Sequence, residues 1–113
     1  MNNLRNKVQL IGHVGQVPEV KTLTSGQVLA KVSLATSEIY KNKVGEKVKE
    51  TYWHNLIAWG KTATFIQDYV QKGQELAVEG KLTNRSYEGK DGVKHYVTEV
   101  IVNELMLMGT KKS

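Results

Sequence analysis

Two tryptophans, Trp53 and Trp59 in the stretch ETYWHNLIAWGK, are the side chains best placed to do chemistry in this sequence. With the two-residue period of a β-strand, Trp53, Asn55, Ile57 and Trp59 fall on one face, and Tyr52, His54, Leu56 and Ala58 on the other. An aromatic plane held off the core offers a stacking surface to any unpaired base, worth about 1–3 kcal/mol per base with little preference among bases. A rise of about 3.3 Å per residue sets the two indoles roughly 20 Å apart, which suits several nucleotides of an extended strand. Lys31, Lys61, Arg85 and the lysines of the Lys41–Lys47 loop lie close to these aromatics in the expected sheet and supply attraction for phosphate. Tyr40 and Tyr87, each at the neck of a hairpin, extend the aromatic pattern onto neighbouring strands. Outward aromatics also serve subunit contacts, but a buried interface avoids this much uncompensated charge.

The rest of the composition argues against catalysis. The chain has no cysteine, so it has no thiol nucleophile, thiolate metal site or disulfide frame. Gly12 and Gly15 do not make a phosphate-binding loop, and the glutamates are scattered rather than paired for acid and base work. His95 and Glu99 can share a strand face with His13 nearby, yet isolated strand histidines are more often surface or hydrogen-bonded groups than ligands. No enzyme activity, catalytic residue, metal or cofactor is therefore expected. Lys and Arg number 16 against 11 Asp and Glu, a net charge of +5, and such a surplus on a small domain favours polyanionic partners.

The elements that must position these residues are mostly strands. At 113 residues, 40% of them hydrophobic, the chain is one globular domain. A first strand around Lys7-Val8-Gln9-Leu10 runs into Gly12 and Gly15, where it can bend. Val17-Pro18-Glu19 and Thr24-Ser25-Gly26 punctuate a loop-rich link with room for a short irregular pairing. The second strand, Leu29 to Thr36, turns Ala30, Val32 and Leu34 inward and Lys31 and Ser33 outward. The lysine-rich turn returns the chain as the tryptophan strand. Then the period changes: Thr62, Phe65, Ile66, Tyr69 and Val70 form one helical face, and Lys72-Gly73 reads as a basic last turn and a glycine stop. A fourth strand from Leu76 to Tyr87, a hairpin at Asp91-Gly92 and a fifth strand from His95 to Asn103 complete the chain. An all-β fold of five strands with one short helix between the third and fourth is the element order of the OB-fold barrel.

Five collinear segments, NKVQLIGHVGQVPEV, LAKVSLATSEIYKNK, YWHNLIAWGK, YVQKGQELAVEGKL and YVTEVIV, resemble the bacterial single-stranded DNA-binding proteins from Asn6 to about Gly109. That family is itself among the systems from which the stacking magnitude above is known. The resemblance implies an OB-fold over residues 1–109 that assembles as a homotetramer and wraps single-stranded DNA. It implies stacking by Tyr40, Trp53, Trp59 and Tyr87, backbone contacts from Lys7, Lys41, Lys43, Lys61, Lys72 and Arg85, and a subunit contact at His54. Tyr40 and Tyr87 stand where tryptophan is usual, and Asn55 where a basic residue is common. Residues 110–113 are short and basic, the chain ending GTKKS without the acidic tail through which such proteins recruit replication and repair partners, so those partners are not expected.

A second reading keeps the fold but makes it an assembly module, a primosome-like accessory subunit that touches nucleic acid weakly. A third is a small basic OB module for structured RNA. Outward tryptophans favour unstacked bases over duplex grooves, because a paired base hides its face. No apolar run reaches the roughly 20 residues of a bilayer span, so no membrane partner is expected and the protein reads as cytoplasmic and nucleoid-associated.

Overall fold

Alternating apolar residues at 30, 32 and 34 and at 56 and 58 dictate a sheet with one covered face. The computed structural model describes residues 4–109 and contains that sheet. Its strands are β1 (Val8–Val14), β2 (Glu19–Thr22), β3 (Val28–Lys41), β4 (Lys47–Trp59), β5 (Glu75–Glu88) and β6 (Lys94–Met108), with one helix, α1 (Gly60–Tyr69), between β4 and β5. The short carboxyl-terminal segment 110–113 lies outside the described residues.

The sheet order is β1-β5-β6-β4-β3-β2, and a further antiparallel pairing of His13 with Ala35 and of Val14 with Leu34 joins β1 to β3. The five long strands thus close into a barrel, removing the free edges that an open sheet would present. One contact in the ring is parallel, Leu56 with Val100 and Ile57 with Ile101 joining β4 to β6. Beyond it the two hairpins diverge as arms. The Cα radius of gyration of 16.3 Å exceeds the roughly 13 Å of a compact chain this long, as projecting arms require.

Inside the barrel, Val14, Ala30, Val32, Leu34, Leu56, Ala58, Leu76, Val78, Val100 and Val102 pack with Ala63, Ile66 and Val70 from the helix and its cap. Each fully buried aliphatic side chain of the size of Val, Leu or Ile contributes about 1.5–3 kcal/mol of transfer free energy, so the stability rests on the barrel interior as a whole, to which β1, β3, β4, β5, β6 and the helix all contribute. Neither tryptophan belongs to this core.

Four expectations are corrected in detail. The loop-rich link contains a sixth strand, β2, paired with β3 from Glu19↔Lys31 to Thr22↔Val28. The helix buries Ala63 and Ile66, while Phe65 and Tyr69 lie outside and pack on each other with centroids 4.9 Å apart. It also ends at Tyr69, before Lys72, with extended backbone at Val70, and its last turn carries no basic residue. Finally, β3, β4 and β6 run longer than the apolar alternation, because cross-strand hydrogen bonding continues past the barrel rim, where Tyr52 is exposed rather than turned into the core.

Candidate nucleic-acid interface

The register of β3 against β4 sets Leu29 opposite Trp59, Lys31 opposite Ile57, Ser33 opposite Asn55 and Ala35 opposite Trp53. These residues therefore share the outer face of the barrel wall. Trp53 is 62% exposed and Trp59 40% exposed, where a core role would leave almost nothing. Trp59 is held at a junction: it is the last residue of β4 and the cap of α1, with φ −126° and ψ 152°.

Across this face runs a groove of about 390 Å³ between the two hairpins. Ile57 and Ile101 line it together with Trp59, Lys31 and Arg85, and Ile57 is buried despite facing outward. A smaller polar depression of about 240 Å³ adjoins it, where Lys31, Ser33 and Asn55 meet Gln16 from the β1–β2 link. An indole beside an apolar floor and a lysine at its rim can accept one base by stacking and the adjoining phosphate by charge.

Trp53 has a seat of its own. A Cβ built on Gly15 would collide with Cζ3 and Cη2 of Trp53, so the indole lies against bare backbone there. The same glycine N–H donates to the Ser33 carbonyl at 2.9 Å, fixing the seat to β3. Here glycine is required by the close approach of a ring, not by its backbone angles.

Arg85 sits on the groove wall but is not a free cation. Its Nε donates to Oε1 of Glu99 at 3.0 Å and its Nη2 to Oε2 at 3.3 Å. Glu99 is 7% exposed and is the one buried charged side chain among the described residues. The hydrogen bonds to Glu99, and then its charge, hold the Arg85 guanidinium pKa above its ordinary value. One strand turn on, the Tyr87 ring stacks on His95 with centroids 5.2 Å apart, and Cζ of Arg85 lies 6.0 Å from the Tyr87 centroid. His95 Nε2 in turn lies 3.6 Å from Asp91 at the hairpin tip. His95 and Glu99 thus have other partners, and no group of three metal-ligating side chains occurs among the described residues.

The remaining anticipated residues are dispersed. Tyr40 lies opposite Val48 and on the other face of the hairpin from Trp53, where its hydroxyl donates to Oε1 of Glu50 at 2.6 Å. Tyr52 donates to the other oxygen, Oε2, at 2.7 Å. Lys41 and Lys43 stand at the hairpin tip, and Lys61 in the first turn of α1 beside Phe65 and Leu105. Lys72 lies in the turn after α1, and Lys7 pairs with Glu79 at 3.6 Å on an exposed surface. His54 shares a hydrogen bond of 2.9 Å with Thr36 Oγ1. Missing from the sequence analysis were the pairing of Arg85 with the buried Glu99 and the lysine at 49. The latter follows from counting back in twos from Trp53.

No helix among the described residues is long and apolar enough to cross a membrane. The chain is 41% identical over 109 residues to Single-stranded DNA-binding protein 1 of Chlorobaculum tepidum, covering 96% of this chain and 67% of the relative. It is 36% identical over 104 residues to the Single-stranded DNA-binding protein of Neisseria meningitidis serogroup B, covering 92% of this chain and 60% of that one. The chain thus spans about two thirds of the length of these relatives. Among solved structures, the Plasmodium falciparum SSB complex with ssDNA superposes with a TM-score of 0.86 at 30% identity, covering 92% of this chain and 95% of the other. A deletion mutant of the single-stranded DNA binding protein from Thermus aquaticus superposes with a TM-score of 0.80 at 26% identity, covering 92% of this chain and 50% of that one. The model of the single-strand binding protein family matches residues 5–108, nearly the whole of the barrel and its interposed helix, and the chain belongs to that family.

Proposed function

We propose that this protein binds single-stranded DNA with little sequence preference and performs no chemistry on it, shielding the strand and keeping it unpaired during replication, recombination and repair. The observation that carries this reading is the position of Trp53 and Trp59, kept out of the core on a wall they share with Lys31. Stacking on the indoles supplies sequence-tolerant affinity, and release of counterions from phosphates supplies the salt-dependent remainder. Lys41, Lys43, Lys61 and Lys72, dispersed around the barrel, suit a strand that wraps a larger surface rather than one that crosses a single groove. Such wrapping accords with a homotetramer in which His54 faces a neighbouring subunit, and a DNA ligand accords with a cytoplasmic, nucleoid-associated protein. Family membership favours this reading over an assembly module with weak nucleic-acid binding.

The test is tryptophan fluorescence during titration with oligothymidine, repeated with duplex of matching length and at two salt concentrations. Strong quenching by the single strand alone, weakened by salt, is the expected result. A folded protein whose fluorescence and mobility ignore the single strand would move the tryptophans to a protein contact.

A further inference from the structure

Resting on the single-stranded reading above, we infer that Arg85 is a base-reading donor of fixed geometry, held in place by Glu99, and not a phosphate-neutralising cation. Charge comes first. Glu99 is nearly inaccessible and takes both ends of a fork from Arg85, so the pair presents no net charge to the groove. A phosphate brought to this guanidinium would sit beside a carboxylate that solvent screens poorly. It would also release no additional counterion, because the cation is already matched.

Geometry supplies the second half. A guanidinium has five N–H donors in one plane. Glu99 engages Nε and one hydrogen of Nη2, leaving the edge formed by Nη1 and the second hydrogen of Nη2. Arg85 remains half exposed and lines the groove alongside Trp59, and no hydrogen bond among the described residues engages this second fork, which leaves it available to a base stacked in the groove. Two parallel donors match a base edge with two adjacent acceptors: N7 and O6 of guanine, or N3 and O2 of cytosine. Thymine and adenine interleave a donor with their acceptors and fill one half of the fork only. The groove is therefore tolerant through its indole and selective through its arginine, with guanine or cytosine preferred at one position of an otherwise nonspecific track.

The experiment compares oligocytidine with oligothymidine of equal length, each over a salt series, for the unaltered protein, Arg85→Lys, and the double variant Arg85→Met with Glu99→Gln. The double variant avoids stranding the Glu99 charge in a buried site. Expected is an affinity ratio of cytosine to thymine that falls at least about fivefold in both variants, the lower end of what one bidentate base contact discriminates. The slope of log K against log salt stays unchanged in the double variant. If the double variant does not fold, Arg85→Lys decides, since it keeps the charge and loses the fork. A slope that drops by about 0.7 in the double variant, with both homopolymers weakened alike, or a cytosine ratio that survives in Arg85→Lys, would overturn the proposal. Failure of the unaltered protein to bind either strand would instead overturn the reading on which it rests.

Discussion

The two faces of the β3–β4 hairpin carry opposite chemistry although they are built from the same short stretch of chain. Counting in twos from Trp53, one face bears Thr51, Lys49 and Lys47, with Lys41, Ile39 and Ser37 on the partner strand. The other bears Tyr52, Glu50 and Val48, with Tyr40 and Glu38 opposite. The first continues the tryptophan wall with cations. The second ties two phenols to one carboxylate and sets Glu38 directly opposite Glu50, which repels a phosphate chain. Proximity of an aromatic to lysines in sequence is therefore a poor guide to the face it shares, and parity along the strand is a better one. Tyr40 neighbours Lys41 in sequence and faces away from it in space.

Six substitutions break or sharpen this contrast. The largest effect is expected from Leu34→Ala, which removes a fully buried side chain from the wall supporting both faces. It should cost about 2–5 kcal/mol of stability, measured by denaturant unfolding, with no selective effect on either face. Next, Trp53→Ala and Trp59→Ala should each weaken oligothymidine binding by about 1–3 kcal/mol while the unfolding midpoint stays near that of the parent. Lys49→Met should lower the slope of log K against log salt by about 0.7, whereas Glu50→Gln, one residue away on the opposite face, should not lower it. Smaller still is Tyr40→Ala. With its hydroxyl committed to Glu50 on the acidic face, its loss should change affinity by no more than about 0.5 kcal/mol, the range of an ordinary surface substitution. A loss as large as that of Trp53→Ala would show that the DNA crosses both faces of the arm.

The barrel and the exposed tryptophans were legible because each rests on strict alternation, which a single strand already displays. Ala30, Val32 and Leu34 need no partner to declare an inward face. What escaped depends on two strands at once. Arg85 reads as a free cation until Thr83↔Glu99 and Arg85↔Val97 bring the Glu99 carboxylate diagonally beside it. The sixth strand escaped because four residues bounded by loops carry too little period to announce themselves. The helix end was misplaced for a related reason: Lys72 and Gly73 are the ordinary signals of a stop, and here they mark the turn into β5, whose Gly73 N–H donates to the Val14 carbonyl at 2.8 Å. Gly15 was taken as a possible bend, while its role is to leave room for an indole 38 positions further along the chain.

The smallest change concerns protons on the acidic face. The hydrogen bond to Glu50, followed by the negative charge of that carboxylate, pushes the Tyr52 phenol from its ordinary 10.0 up to about 12. Tyr40 is raised for the same first reason. The carboxyl of Glu50 is lowered in turn, first by the bond from Tyr40 and then by that from Tyr52. For Tyr52 a folded pKa above the unfolded one means that the bond supports the arm fully below pH 10.0 and that this support fades as the pH rises through about 12. For Glu50 the sign is reversed: its support is present above 4.5 and is lost as the pH falls through the lower folded value. Followed by tyrosinate absorbance, Glu50→Gln should move the late phenol transition from about 12 part of the way back toward 10.0, because an amide oxygen still accepts the phenolic proton but no longer opposes the phenolate charge. Oligothymidine affinity at neutral pH should be unchanged by the same substitution. A shift in both quantities would place the acidic face in the path of the strand, and a shift in the titration alone would confine the stacking wall to the tryptophan side.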